Sequence, residues 1–177
     1  MKKFYQYAFP MPTVLVTCND EQGKTNIITI AWHTTISKEP PLYGISVGPS
    51  RHSHELIKKT KEFVVNFVPY ELVEQAHYCG THTGRNTDKI RETNLTLIPA
   101  QKVKAPRIQE CYAHLECKLN QNIPLGDHTL FIGKVVAVQA DTNAFTNDIL
   151  QIDTVQPLYY IGGNRYTAIN KHKEKVF

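Results

Sequence analysis

Short apolar runs rich in β-branched residues recur along the chain, separated by stretches of turn chemistry. Residues 13–18 (Thr-Val-Leu-Val-Thr-Cys) form the first run, and residues 19–23 (Asn-Asp-Glu-Gln-Gly) supply a turn, so residues 25–31 are expected to return antiparallel as a hairpin. Residues 42–47 read as a third strand ended by Gly48-Pro49, and the intervening residues 32–41, closed by Pro40-Pro41, read as a loop. Ser50 is placed to N-cap a short helix over residues 51–59, with Glu55 early and Lys58 and Lys59 late, in agreement with the helix dipole. Residues 63–68 (Phe-Val-Val-Asn-Phe-Val) are almost continuously apolar, as in a strand buried on both faces or in a barrel wall.

Leu72, Val73 and Ala76 lie at helical spacing and predict a helix within residues 70–78; residues 79–84 break it before a short helical piece around 88–92. Strand patterns return at residues 112–119 and 129–138, with a loop over 120–127 between them, and again at 158–161. Six or seven strands with two or three short helices inserted suit a mainly β fold, a small closed or partly closed barrel, better than a βαβ fold with its regularly alternating long helices. One domain is expected over residues 1–170, followed by a charged, mobile tail at 171–177 that begins to depart from the pattern at Asn170.

Composition narrows the class without selecting a function. A chain of 177 residues and 20.2 kDa, 41% hydrophobic and 20% charged, can bury one core. It has no apolar run near the roughly 18–20 residues of a membrane span, which argues against disordered, collagenous and membrane classes. The net charge of +4 suits a phosphate-bearing ligand as well as plain solubility. Tyr7, Pro10 and Pro12 interrupt the start before any export signal can form, and Cys18, Cys79, Cys111 and Cys117 show no C-x-x-C spacing, so free thiols in a reducing cytoplasm are expected. Cys111 and Cys117, if on one strand, face the same side about 20 Å apart and read as packing residues. His77, Cys79 and His82 lack a fourth ligand, so no metal is expected, and no basic run suggests nucleic acid.

No nucleophile elbow, H-E-x-x-H helix, Gly-rich dinucleotide turn or phosphate loop is present, so an enzyme reading depends on a cofactor. Ser50-Arg51-His52-Ser53-His54 offers backbone N–H groups, hydroxyls and a guanidinium at a helix start, which suits a phosphate but equally an ordinary cap. Residues 79–89 combine glycines with Arg85, Lys89 and threonine hydroxyls, and read either as a second anion contact or as a helix-joining loop. Trp32 is a ring-bordering face or a core tryptophan, and His128, preceded by Asp127, is a proton donor or a loop histidine.

Eight segments then coincide in order with one pattern: residues 26–32 (Asn-Ile-Ile-Thr-Ile-Ala-Trp), Pro40-Pro41, Ser46-Val47, residues 51–54 with 63–66, Cys79-Gly80 with Thr83-Gly84-Arg85 and Asp88-Lys89, Glu110-Cys111, Gly126-Asp127-His128 with Phe131-Ile132-Gly133, and residues 157–160 with Tyr166. Over about residues 5–169 the chain resembles the flavoredoxin branch of the flavin reductase-like, FMN-binding split-barrel family. The resemblance implies a six-stranded split barrel, a homodimer with flavin sites at the subunit interface, and FMN held without a covalent link. It places Asn26, Trp32, Ser53, Lys89, His128 and Tyr160 around the isoalloxazine, with Thr29, Ala31, His33 and Thr34 along the flavin. Ser46, Val47, Gly48, Arg51, His52, Ser53 and Thr83 are placed beside ribityl and phosphate. Lys89 and His128 are the implied catalytic groups, since cations near a flavin stabilise its anionic reduced form. The chain departs from the family pattern in having Thr83, Ile90 and Asn94 where relatives carry Ser, Phe and Gly, Ser53 for Thr, Lys134 for Glu and Asn170 for Gly.

The implied activity is transfer of electrons from NADH or NADPH through FMN to a flavin, ferric or protein acceptor. The alternative is a flavoredoxin-like carrier reduced by a protein partner, with no NAD(P)H oxidation of its own. No nucleic-acid or membrane partner is expected.

Overall fold

The first hairpin forms where the pattern places it: β1 (Val14–Asn19) pairs with β2 (Thr25–Ile30) from Val14↔Ile30 to Asn19↔Thr25. The Asp20 carboxylate closes the turn by accepting from Gln22 N and Lys24 N at 2.9 and 2.8 Å. A computed structural model describes residues 3–169, so the expected tail from Asn170 lies outside the described residues. After β2 come β3 (His33–Ser37), β4 (Leu42–Val47), α1 (His52–Thr60), β5 (Glu62–Phe67), α2 (Val73–Thr81), α3 (Lys89–Thr93), β6 (Ala113–Leu125) and β7 (His128–Ala140).

All seven strands share one sheet in the order β2-β1-β5-β6-β7-β4-β3, and every neighbouring pair is antiparallel. Its edge strands β2 and β3 are joined by Ala31 and Trp32 alone, so the sheet must curl until its edges meet. Ser46 N donates to the Trp32 carbonyl at 2.9 Å, which extends the β3–β4 pairing one residue back towards β2. The result is a barrel split along one line. The sheet holds seven strands where the resemblance implies six, and β3 lies inside the stretch that reads as a loop. Residues 34–36 are exposed, so no inward-facing alternation marks them; pairing with β4 makes them a strand.

β1 is buried on both faces, which explains its unbroken apolar character. Val14, Val16 and Cys18 join Ile45, Phe63, Val65, Cys117 and Phe131 in one cluster, and Leu56 and Ile57 of α1 pack into the same cluster. Leu15 points the other way, to Ala76 and Cys79 of α2, Ile108, Cys111 and Leu158. Cys111 and Cys117 therefore face different clusters, not one side: β6 begins only at Ala113, and Cys111 precedes it. A buried amide ties this second layer down. Asn66 Nδ2 donates to Leu15 O at 3.0 Å, while its Oδ1 accepts from Ile108 N and from His114 Nδ1, each at 2.9 Å.

Other local expectations shift. The N-cap of α1 is Arg51, extended at φ −74° and ψ 136° with no side chain capping it, so the capping role expected of Ser50 falls one residue early. The 120–127 loop is instead the tip of the β6–β7 hairpin, closed by Gly126 (φ +62°) and Asp127. Its polar, exposed residues hide the strand pattern. Asn94, standing where relatives carry Gly, ends α3 at φ 53°, a left-handed position that asparagine tolerates.

Gly133 follows the first of two register shifts in the β6–β7 ladder, and a Cβ there would lie 2.6 Å from Phe63 Cζ and 2.7 Å from Cys117 Cβ. Gly133→Ala is therefore expected to destabilise the fold by about 1–3 kcal/mol through overpacking. Urea unfolding reads this as a lower midpoint at unchanged slope.

Candidate functional site

Three segments distant in sequence meet beside the start of α1. Asn26 at the second position of β2, Arg51, His52 and Ser53 at the head of α1, Thr83 and Gly84 between α2 and α3, and Lys89 at the start of α3 line one narrow cleft of about 90 Å3. Asn26 Nδ2 donates to Ser53 Oγ at 2.7 Å, and both residues are buried. A Cβ on Gly84 would fall 1.8 Å from Asn26 Oδ1, so only glycine lets this loop close on β2.

Lys89 is 5% exposed, and its Nζ donates to the carbonyls of Ile27 and Cys79 at 2.8 and 2.7 Å. An ammonium carries three N–H groups, so one remains for a ligand. Burial holds its pKa below the usual lysine range, and Arg51 adds to this. The nearby thiols do not neutralise it: burial pushes Cys18 up to about 12 and Cys79 up to about 11. No carboxylate lines the cleft. His52 Nδ1 is buried without a hydrogen-bond partner among the described residues. Its pKa is lowered by burial first and by Arg85 second.

The first backbone N–H groups of α1 add unpaired donors and the positive end of a helix dipole. The donor set thus fits an anionic oxygen group such as the phosphate of a mononucleotide. Lys89, expected beside the ring, here lines the same cleft as Ser53 and Thr83.

A second group lies past Arg51. The Trp32 and His128 rings stand 4.8 Å apart at 41°, and His128 Nδ1 donates to Asp127 Oδ1 at 2.8 Å. This interaction with His128 lowers the Asp127 pKa. His128 Nε2 then faces Gly48, 3.7 Å from where a Cβ would be, with the Arg51 stem at 3.9 Å from the same point. Thr29, Ala31 and Tyr160 line a neighbouring recess together with Arg51.

Other expected residues are placed outside these groups. Both ring nitrogens of His33 are engaged, by Tyr43 Oη at 2.6 Å and Pro12 O at 3.0 Å, so it serves the sheet. Thr34 is exposed on β3, the Val47 side chain is in the core, and Ser46 gives its backbone N–H to Trp32 in the β3–β4 pairing. Thr13, which lines the recess, was not singled out by pattern; His77 was weighed only as a metal ligand, and Gly84 only as part of the segment around Thr83. His77, Cys79 and His82 do not converge: His77 meets Tyr166, His82 stacks on Tyr78, and Cys79 is in the core. Among the described residues no three His, Cys, Asp or Glu side chains are placed to hold a metal, and no helix is long and apolar enough to cross a membrane. A surface cavity of about 490 Å3 around the β1–β2 turn gathers none of the expected residues.

Residues 6–169 match the model of the family described as flavin reductase like domain. An uncharacterized protein of Archaeoglobus fulgidus is 39% identical over 133 residues, which is 75% of this chain and 74% of that one. Among solved structures, flavoredoxin of Desulfovibrio vulgaris (Miyazaki F) superposes with a TM-score of 0.85 at 29% identity, covering 96% of this chain and 92% of its own. An FMN-binding protein from Thermus thermophilus with bound p-hydroxybenzaldehyde gives 0.82 at 29%, covering 95% and 90%. By sequence and by the split barrel alike, the chain belongs to the flavin reductase-like family.

Proposed function

We propose that this protein binds FMN non-covalently and works as an oxidoreductase, taking electrons from NADH or NADPH and passing them to a flavin, ferric or protein acceptor. The observation that carries the reading is the cleft at the head of α1, lined by donors, cations and glycines with no carboxylate. It suits the acidic tail of FMN, and the similarity to a flavoredoxin and an FMN-binding protein supports that ligand.

Arg51, Ser53, Thr83 and Lys89 would hold the phosphate, with the first N–H groups of α1. Bound FMN would supply reversible two-electron chemistry on its ring. Trp32 would offer a rigid face to border the ring. Because an ionised carboxylate only accepts, Asp127 fixes the His128 proton on Nδ1 and leaves Nε2, beside Gly48, to take up or hand on a proton.

A homodimer forms part of this proposal. The tip of the β6–β7 hairpin exposes Leu125 (57%) and Ile123 (37%), and Trp32 is 36% exposed, apolar area that a second copy would cover. Four free, buried thiols support a cytoplasmic setting.

Anaerobic mixing of the FMN-loaded protein with NADH and, separately, NADPH tests the reading. Bleaching of the absorbance near 450 nm at about 1 s⁻¹ or faster is the expected result. A yellow protein that neither nucleotide bleaches is instead a flavoredoxin-like carrier fed by a protein partner, a reading favoured by the likeness to flavoredoxin. A protein that FMN cannot turn yellow overturns both.

A further inference from the structure

The loop between α2 and α3, residues 82–88, forms one lip of the cofactor cleft, and the head of α1 forms the other. His82 is tied back to α2, its N and Nδ1 both donating to the Tyr78 carbonyl at 3.1 Å, and the Asp88 carboxylate caps α3 by accepting from Arg91 N at 3.2 Å. Between them, residues 83–87 bond to one another and, among the described residues, reach the rest of the fold by hydrogen bond or ion pair through Arg85 alone. Arg85 Nη1 donates to the Ser50 carbonyl at 3.0 Å, and Nη2 lies 3.8 Å from Oε2 of Glu55 in the first turn of α1.

The guanidinium is a bolt laid across the cleft from outside. Ser50, Arg51, His52 and Ser53 line one side and Thr83 and Gly84 the other, while the half-exposed Arg85 side chain lines neither. Gly84 is seated against Asn26, which in turn donates to Ser53, so the loop leaves its seat only by giving up the Arg85 bridge. The cleft of about 90 Å3 has room for roughly three water molecules, so a group the size of a phosphate fills it and passes in or out when the lips part. A planar guanidinium suits this task, because its fork meets a carbonyl and a carboxylate at once, which the single ammonium of lysine does not. Glu55 is itself held by Lys59 at 3.1 Å, which steadies the carboxylate end of the bridge.

We propose that Arg85 is a positioning residue that bolts residues 83–87 to the head of α1 and so sets the rate at which FMN enters and leaves the cleft. For its ligand the proposal rests on the FMN reading; the bolt itself joins two parts of the protein and touches no ligand. A bond of that kind is made equally by free and loaded protein, so its loss speeds binding and release together and moves Kd little. A residue in contact with the phosphate does otherwise: its loss slows binding, speeds release and raises Kd.

Stopped-flow flavin fluorescence on the full-length protein tests this with Arg85→Lys, which keeps the charge but not the fork, and with Glu55→Ala, which removes the far anchor. For Arg85→Lys the FMN association and dissociation rates are both expected to rise about tenfold, or about 1.4 kcal/mol, with Kd within about threefold of wild type. For Glu55→Ala dissociation is expected to quicken by about two- to fourfold, as befits an exposed ion pair. That variant sets the bolt against simple charge, because deleting a carboxylate near the cleft would slow the release of an anion if attraction alone governed it. Both side chains are about half exposed, so Tm is expected to stay within about 2 °C of wild type. The readout independent of flavin is 15N relaxation of the Thr83 and Gly84 amides in the FMN-free protein, where Arg85→Lys is expected to lower the order parameters from about 0.85 to below about 0.6. Unchanged dissociation in Arg85→Lys, slower dissociation in Glu55→Ala, or a Kd that rises as much as the dissociation rate overturns the proposal. Loosened amides in a protein that takes no FMN keep the bolt and remove the cofactor reading; unaltered amides in a variant that binds FMN normally remove the bolt and leave that reading in place.

Discussion

Replacing Lys89 by methionine is expected to raise the Kd for FMN about 100-fold while changing riboflavin affinity less than tenfold. A 100-fold loss is about 2.7 kcal/mol, within the roughly 1.5–3 kcal/mol of a hydrogen bond to a charged group. The selectivity follows from where Lys89 stands, in a cleft with Arg51, Ser53 and Thr83 and no carboxylate, with its third N–H unclaimed by Ile27 and Cys79. Methionine keeps the apolar length but leaves those two carbonyls without a donor, so a stability loss of about 2–4 kcal/mol accompanies the change. Arg51→Ala separates the two effects, since the Arg51 side chain is exposed and its loss spares the fold. It should show the same preference of damage for FMN over riboflavin at unchanged Tm. Fluorescence titration with both flavins decides: equal losses for the two would move Lys89 from the phosphate to the ring, as the family resemblance has it, and no loss for either would remove it from the site.

The second large effect is acid lability seated far from the cleft. His114 is 5% exposed, and burial, helped by Arg107, lowers its pKa from 6.5 to about 4. Its Nδ1–H donates to Asn66 Oδ1, which also accepts from Ile108 N. With the folded pKa below the unfolded one, the unfolded chain takes up the proton first as pH falls through 6.5. Stability is therefore intact above about pH 6.5 and declines by about 1.4 kcal/mol per pH unit down to pH 4, a total of roughly 3 kcal/mol. Burial shifts His33, His52 and His54 the same way, so the wild-type slope contains them as well. Denaturant unfolding at pH 7 and pH 4.5 for wild type and His114→Gln isolates the His114 share: glutamine still offers an N–H to Asn66 but does not titrate. A variant that loses as much stability on acidification as the wild type would refute the assignment.

The strands that build the barrel wall were legible because burial imprints itself on composition. β1 and β5 are apolar on both faces since each separates two packed layers, and the turn at Asp20 announces itself in residue type. β3 and the distal half of β6 were not legible. Their side chains face outward, so nothing in the pattern distinguishes them from loops, and only the neighbouring edge of the sheet makes them strands. Ser50 and Arg51 show the same limit at a helix end: residue type favours serine as the cap, but the chain leaving β4 turns into the helix one residue later.

By itself, the amino-acid order determined a mainly β domain, the cations and hydroxyls able to receive an anion, and the family that arranges them in this succession. Tertiary structure alone decided which of them meet. Folding brings residues 26, 53 and 89 into one cleft, gives Lys89 two carbonyls and a dry setting, and ties both nitrogens of His33 into the sheet. Periodicity records whether a side chain is buried. It does not record against what, because the partner is set by how the sheet curls and where its edges meet.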